Sequence, residues 1–386
     1  MKRLAVLSVC AVVWLSASPA RALNLNEWVP GLTLTPFFSE RVEYQSNVFQ
    51  TSTNPQGDVI FKSIHGLVAE LERGPLSLSA GYRAEILNFV KFTNQDTAQQ
   101  FAALQATYER TRLKLSLRDD FASTSDPPGT ELTGRIKSTT NTLAPAAEYR
   151  LTDRFTAGLS YTWIHVDFQQ SAELLDRDEY LIGVGVGWYI APRTQLRLDY
   201  AYGWKTFSDV AGRDVTRNVV TLGPRGDLTS KLSSGLWVGV EVREPDSSQQ
   251  PSYVGPVAGG NLTYRITDRT TLALTVDRSV QESAFEDAAY YVTTNASLLL
   301  QHQLTRKLSG YARLGGGFNN YPTKQVDGAV SKFRQDEFVG AGGGAQYDVQ
   351  PWLRVGTDYQ YTRRSSNFST FGFDGHTVSG RMTLQF

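Results

Sequence analysis

Apolar and polar residues alternate with a period of two along most of the chain, the spacing that puts alternate side chains on opposite faces of a β-strand. Leu196, Leu198, Tyr200, Tyr202 and Trp204 fall on one face of such a segment, while Gln195, Arg197, Asp199, Gly203 and Lys205 fall on the other. Leu76, Leu78, Ala80, Tyr82, Ala84 and Ile86 likewise oppose Ser77, Ser79, Gly81, Arg83 and Glu85. Leu113, Leu115 and Leu117 oppose Lys114, Ser116 and Arg118, and further along Leu236, Val238, Val240 and Val242 oppose Gly239, Glu241 and Arg243. Leu353, Val355, Tyr359 and Tyr361 oppose Arg354, Asp358 and Gln360, and the pattern runs to the last residue. One face suits lipid and the other suits water. The segments run to roughly ten or more residues, about twice the usual sandwich strand, and aromatics gather at their ends, as at Tyr161 and Trp163, Trp188 and Tyr189, and Tyr202 and Trp204. Length and aromatic girdles together predict strands that cross a membrane.

The connections alternate in length. Tight turns fall near Gly74, Arg110, Thr152-Asp153, Pro192, Ser230, Thr267-Asp268, Thr305-Arg306 and Pro351. Longer polar connections run from Gln45 to Gln56, Ser123 to Gly134, Glu244 to Pro251, Asn320 to Ser331 and Ser365 to Asp374. The expectation is an all-β fold, a transmembrane antiparallel up-and-down β-barrel of eighteen strands, with sixteen as the alternative, short turns in the periplasm and no internal domain boundary. An open sheet in hydrocarbon would leave edge amides unpaired at several kcal/mol each, so the last strand must meet the first. That last strand carries Val378, Met382, Leu384 and Phe386 on one face, which resembles the C-terminal assembly signal of bacterial outer-membrane barrels. It implies recognition by the barrel-insertion machinery, with Met382, Leu384 and Phe386 as the signal.

Composition narrows the picture. Among 386 residues, 38 Lys and Arg balance 38 Asp and Glu, so nothing favours a nucleic-acid partner. A mean hydropathy of −0.29 excludes a polytopic helical membrane protein. Residues 1–22 open with Lys2 and Arg3, continue through an apolar run from Leu4 to Leu15 and close on Ala20-Arg21-Ala22, the pattern of a cleaved signal peptide. Its removal would take the only cysteine, Cys10, and leave residues 23–386 as a single outer-membrane barrel embedded in outer-membrane lipid.

Candidate chemistry is sparse. His65, His165, His302 and His376 each lack a second ligand at metal spacing. Asp167 beside His165 comes without a nucleophile motif and reads as a polar strand end near the interface, so neither a cofactor nor a catalytic residue is expected. Gly183, Gly185 and Gly187 alternate within a strand instead of opening a helix, so they thin one face of the wall and do not cradle phosphate. The informative residues are the charges on the water-facing side: Arg83, Glu85, Lys114, Arg118, Asp120, Arg197, Asp199, Lys205, Glu241, Arg243, Asp277, Arg313, Arg354 and Asp358. They are the candidate lumen lining. With both signs present, they suit a hydrophilic solute such as a saccharide without filtering for one charge.

Tyr44-Gln45-Ser46-Asn47-Val48-Phe49-Gln50, followed by Gly57-Asp58-Val59-Ile60 and the long amphipathic hairpin to Phe92, resembles the opening of an outer-membrane β-barrel porin family associated with bacterial exopolysaccharide export. Gln45 and Ser46 stand where that family commonly carries acidic residues. The resemblance implies a pore taking part in exopolysaccharide export, with a saccharide cargo and a periplasmic polysaccharide export protein as partner. The alternatives are a general or substrate-selective diffusion porin and a structural barrel with an occluded lumen.

Overall fold

A computed structural model describes residues 23–24, 29–127, 131, 134–169, 175–208, 212–248, 250–285, 288–327 and 330–386, with the backbone alone at 23, 24 and 327. Residues 1–22, on which the signal-peptide expectation rests, lie outside the described residues. The wall consists of β1 (Leu32–Gln45), β2 (Asp58–Arg73), β3 (Leu76–Phe89), β4 (Thr97–Glu109), β5 (Leu113–Thr124) and β6 (Ser138–Arg150). There follow β7 (Phe155–Phe168), β8 (Arg177–Ala191), β9 (Thr194–Phe207), β10 (Val215–Asp227) and β11, which runs as Leu232–Ser234 and resumes as Trp237–Pro245. The remainder are β12 (Tyr253–Thr267), β13 (Thr270–Glu282), β14 (Tyr290–Gln303), β15 (Leu308–Asp327), β16 (Val330–Gln350), β17 (Leu353–Ser366) and β18 (Phe373–Gln385). A two-residue strand, Leu23–Asn24, pairs with the start of β1.

Each strand pairs antiparallel with its sequence neighbours, and β18 returns to β1 through pairs from Phe37↔Gln385 to Gln45↔Thr377. The sheet is therefore a closed barrel of eighteen strands. Beyond that register, the Phe386 N–H donates to the Pro36 carbonyl (3.1 Å). At about 3.3 Å per residue and a tilt near 40°, a strand of fourteen residues such as β1 spans about 35 Å, enough to cross the roughly 25 Å apolar band of an outer membrane.

The alternation read from the sequence becomes the two faces of this wall. Leu198, Tyr200, Tyr202, Val184, Val186, Val220, Val238 and Val240 are exposed on the outside. Their neighbours Gln195, Lys205, Val215 and Arg243 are buried inside. Outside, Tyr180 stacks on Trp204 at 5.1 Å, with Tyr202 beside them, forming part of an aromatic girdle at the long-connection end. Tyr189 instead pairs with Gln195 on the inner face, under the Arg150 guanidinium.

Geometry requires glycine at two positions that shape the wall near the lumen, Gly260 and Gly66, among others. Where β11 is interrupted at Gly235 and Leu236, the opposing Gly260 adopts φ +107°, and a Cβ there would lie 2.0 Å from the Gly235 carbonyl oxygen. At Gly66, a Cβ would lie 2.2 Å from the Phe37 ring, which covers the glycine on the inner face.

The expected polar connection from Asn320 to Ser331 is largely strand. β15 reaches Asp327 and β16 starts at Val330, with a register shift between Asn320 and Lys324. Outward Val326 and Phe333 keep the alternation going past that irregularity, and the ladder resumes from Lys324↔Phe333 to Asp327↔Val330, so the hairpin projects beyond the belt instead of ending at it.

The β13–β14 hairpin departs from the cylinder. β12 and β13 stay paired only as far as Ala258↔Arg278, although β12 continues to Tyr253 and β13 to Glu282. Beyond Arg278, β13 leaves the wall and the hairpin tip turns into the lumen.

Candidate functional site

The inward turn brings Glu282 to a group of buried charges. In β13, Glu282 shares its parity with the outward residues Leu272, Leu274 and Val276, so an intact wall would point it at lipid. Once the strand has left β12, that face lies against the inner surface of β8 to β11. The Lys205 ammonium donates to Glu282 Oε1 at 2.8 Å and lies 3.1 Å from Glu179 Oε2. Arg243 grips both Glu282 oxygens, Nη1 to Oε1 at 2.5 Å and Nη2 to Oε2 at 2.8 Å. Arg177 donates to Glu179 Oε1 at 2.7 Å. Two carboxylates thus share three cations in a site shielded from water, where a bidentate Arg–carboxylate pair is strong and the loss of one member leaves a bare charge.

Beyond Glu282 the tip is held from several sides of the barrel. The Ser283 hydroxyl donates to Glu131 Oε1 (2.6 Å) and the Ala284 N–H to Glu131 Oε2 (2.7 Å). Arg213 donates to the Ser283 carbonyl (2.7 Å) and Arg364 to the Glu131 carbonyl (3.0 Å). Ala284 packs on Val166, Phe168 and Leu175, and Phe285 meets Phe371 edge to face at 5.5 Å. Arg334, fully buried and paired with Asp336 (2.7 Å), lies 3.6 Å above the Phe371 ring and also over Tyr321. These contacts join β7, β16, β17 and the connections beside β10 and β13 across the bore. Burial pushes the Glu131 carboxyl above the usual carboxylate range, against the opposing pull of Ser283, Ala284 and Arg334. Burial pushes the Arg213 guanidinium down.

Beside this constriction lies a cavity of about 630 Å³. Its wall mixes Val219, Trp237, Val257 and Val280 with Arg217, Glu241 and Arg278.

The expected lining residues occupy the inner face, mostly as pairs along or across strands. Arg83 bonds Glu85 (2.8 Å) and covers Phe101, Lys114 meets Glu109 (3.2 Å), and Arg118 bonds Asp120. Arg197 bonds Asp199 (2.8 Å) and reaches Glu148 (2.6 Å). Gly185 and Gly187 make room for this row, since a Cβ at Gly185 would lie 2.0 Å from Asp199 Oδ1 and one at Gly187 2.0 Å from Gln195 Nε2. Asp277 accepts from Ser279 (2.9 Å), Asp358 accepts from Tyr311 (2.6 Å), and Arg354 reaches Gln385 (2.8 Å) and Asp348 (3.5 Å). Arg313 lines a smaller cavity with Arg41, Asp358 and Arg381. Only Lys205 and Arg243 of the set join the Glu282 cluster, with Glu241 beside them on β11. Glu131, Glu179, Glu282 and Arg334 were not among the sequence candidates.

The histidines face outward. His165 Nδ1 lies 3.0 Å from Asp178 Oδ1, not against Asp167, and Trp163 donates to the same oxygen, a polar strand end in the aromatic girdle. Ser63 donates to Glu40 (2.6 Å) and lies 3.0 Å from His65 Nε2. The acid there contacts the hydroxyl and not the imidazole, so no acid–imidazole–hydroxyl relay is formed. Among the described residues, no group of three metal-ligating side chains comes together. Met382 is exposed on the outer face, and Leu384 pairs with Phe38 on the same side.

The architecture has known counterparts. Residues 223–386 match the family model described as "Putative beta-barrel porin 2". No curated protein matches the sequence. In structure the chain is similar to OccK9 (OpdG) of Pseudomonas aeruginosa, with a TM-score of 0.50 at 11% identity over 92% of this chain and 98% of that one. It is also similar to OpdK of Pseudomonas aeruginosa, with a TM-score of 0.49 at 12% identity over 92% and 99%. A BenF-like porin from Pseudomonas fluorescens Pf-5 gives 0.48 at 12% over 92% and 99%. The closed wall, its lipid-suited outer face and the fold it shares with OccK9 together define the class as a transmembrane β-barrel of porin architecture.

Proposed function

We propose that the chain is a substrate-selective diffusion porin for small hydrophilic solutes. The observation that carries this reading is the constriction: the β13–β14 tip, Glu131 and Phe371 meet inside the bore and narrow the route past them. A growing polysaccharide needs a continuous wide bore, whereas a small solute can pass beside the tip among the paired charges of the wall. The match of residues 223–386 to a porin family model supports diffusion better than the exopolysaccharide export implied by the opening motif. The ion-paired rows built on Arg83, Lys114, Arg118, Arg197, Arg354 and their acids act as a wetted wall of both signs. Met382, Leu384 and Phe386 serve the insertion machinery.

Liposome swelling with a graded series from a monosaccharide to a tetrasaccharide tests this. Flux should fall steeply with solute size, and deletion of the gene should lower small-solute uptake while leaving surface polysaccharide intact. Loss of surface polysaccharide with unchanged uptake would restore export as the better reading.

A further inference from the structure

Where β13 leaves β12, the barrel wall has a seam. Extending the register from Ala258↔Arg278 would pair Val257 with Ser279, Pro256 with Val280 and Val254 with Glu282, and none of these pairs forms. The edge of β12 is adapted to lacking a partner. Pro256 has no N–H to leave unsatisfied, and proline in a sheet belongs on such edges. Its carbonyl accepts from Arg278 Nε at 3.0 Å and from the Tyr253 hydroxyl at 3.1 Å. The Ser252 carbonyl accepts from the Tyr290 hydroxyl at 2.9 Å. Gly255 admits this arrangement, since a Cβ there would lie 2.5 Å from the Tyr253 hydroxyl oxygen. Side chains that can rotate away have replaced a backbone ladder that cannot.

The two sides of the seam differ in chemistry. Outside, Val254 is 71% exposed and Val238 is 64% exposed, both on the lipid-facing surface. Inside, Val257 and Val280 are buried on the wall of the 630 Å³ cavity that Trp237 and Val219 also line, where Arg217 and Arg278 stand among acids such as Glu241 and Arg278 is the cation at the seam itself. Apolar residues on both sides of the seam, closed by the Tyr253–Tyr290 ring pair that packs on Val280, and the Arg278 guanidinium that bridges it fit a molecule with a hydrocarbon tail and an anionic head once those side chains rotate away.

We propose that the seam between β12 and β13 is a lateral port, through which a single-chain amphiphile with an anionic head passes between the outer leaflet and the lumen cavity. Arg278 holds the head while the tail slides between Val254 and Val280. This route is separate from axial diffusion of hydrophilic solutes, and either can exist without the other.

The test uses the full barrel in lipid nanodiscs with dodecanoate carrying a photoreactive diazirine at its tail, followed by peptide mapping. Adducts are expected on lumen-side Val257, Trp237 or Val280. A Pro256→Cys/Val280→Cys variant, whose disulfide would join the two edges, should lose at least about ten-fold of that lumen-side labelling when oxidised relative to the same variant reduced. Labelling confined to outward residues such as Val254 and Val276, or lumen labelling unchanged by the disulfide, overturns the port. If the disulfide does not form, Arg278→Leu replaces it: a several-fold loss of lumen labelling supports the port, and unchanged labelling overturns it. Sugar flux through the same preparations, measured in liposomes, reports separately on the axial reading.

Discussion

Replacing Glu282 by Gln should release the β13–β14 tip from the lumen. The carboxylate meets Lys205 once and Arg243 twice, with every partner nearly fully buried. Lys205 would keep Glu179, but Arg243 would keep only the Tyr290 ring and the nearby Glu241 charge. Removing one partner of a buried pair costs about 3 to 5 kcal/mol, because the remaining charge stays out of water. A shift of that size moves the equilibrium between docked and undocked tip by about two to four orders of magnitude, since 1.36 kcal/mol is ten-fold. The rest of the barrel loses no contact. By contrast, Glu85→Gln at the half-exposed pair with Arg83 should cost no more than about 1 kcal/mol, as surface pairs do. Single-channel recording in planar bilayers is the assay: Glu282→Gln should show a larger or longer-lived open level than the parent, and Glu85→Gln should match it. Identical traces for the parent, Glu282→Gln and Arg243→Met would refute the idea that the charge cluster holds the constriction.

Three further outcomes are expected. Leu198→Arg should destabilise the barrel by about 2 to 4 kcal/mol in vesicle unfolding titrations, as a charge near the midplane of the lipid face does, while Arg197→Glu should fold and change ion selectivity; equal tolerance at both sites would mean the faces are reversed. Because burial against the tip raises the Glu131 pKa, docking of the tip favours the protonated acid. The constriction should therefore tighten as pH falls toward the ordinary carboxylate range and loosen as pH rises through the raised value, with Glu131→Gln removing the dependence of conductance on pH. Gly66→Leu should displace the Phe37 ring and lower stability by about 1 to 3 kcal/mol in the same unfolding assay, and a neutral result would contradict the close cover of ring on backbone.

Much of the wall was legible because the bilayer imposes it. Lipid on one side and water on the other force period two, and the need to pair every edge forces closure, so Leu198 against Arg197 and the meeting of β18 with β1 follow from the sequence. The constriction was not legible, for a physical reason. Glu282 shares parity with Leu272, Leu274 and Val276, and a pattern reading that assumes an intact wall sends it into lipid. Only the departure of β13 from β12 turns that face inward. A trace existed in the sequence: Arg278 and Glu282 both break an apolar outer stripe within one strand, and Pro256 sits in the strand that should have paired with them. Glu131 left no such trace, because its partners Ser283, Ala284 and Arg364 lie 152 or more residues away along the chain and no periodicity joins them. The hairpin of β15 and β16 is hidden for a different reason: polar residues around Lys324 read as a loop, whereas the backbone ladder resumes there from Lys324↔Phe333 to Asp327↔Val330.

Cysteine scanning of positions 196–205 in β9, one nitroxide at a time in lipid vesicles, is the most direct measurement of whether this wall separates lipid from water. Accessibility to lipid-dissolved oxygen should peak at Leu196, Leu198, Tyr200 and Tyr202, and accessibility to a water-soluble nickel chelate should peak at Arg197, Asp199 and Gly203. A profile with no alternation, or one with the two reagents exchanged, would contradict a closed barrel with an apolar outside and a wet interior.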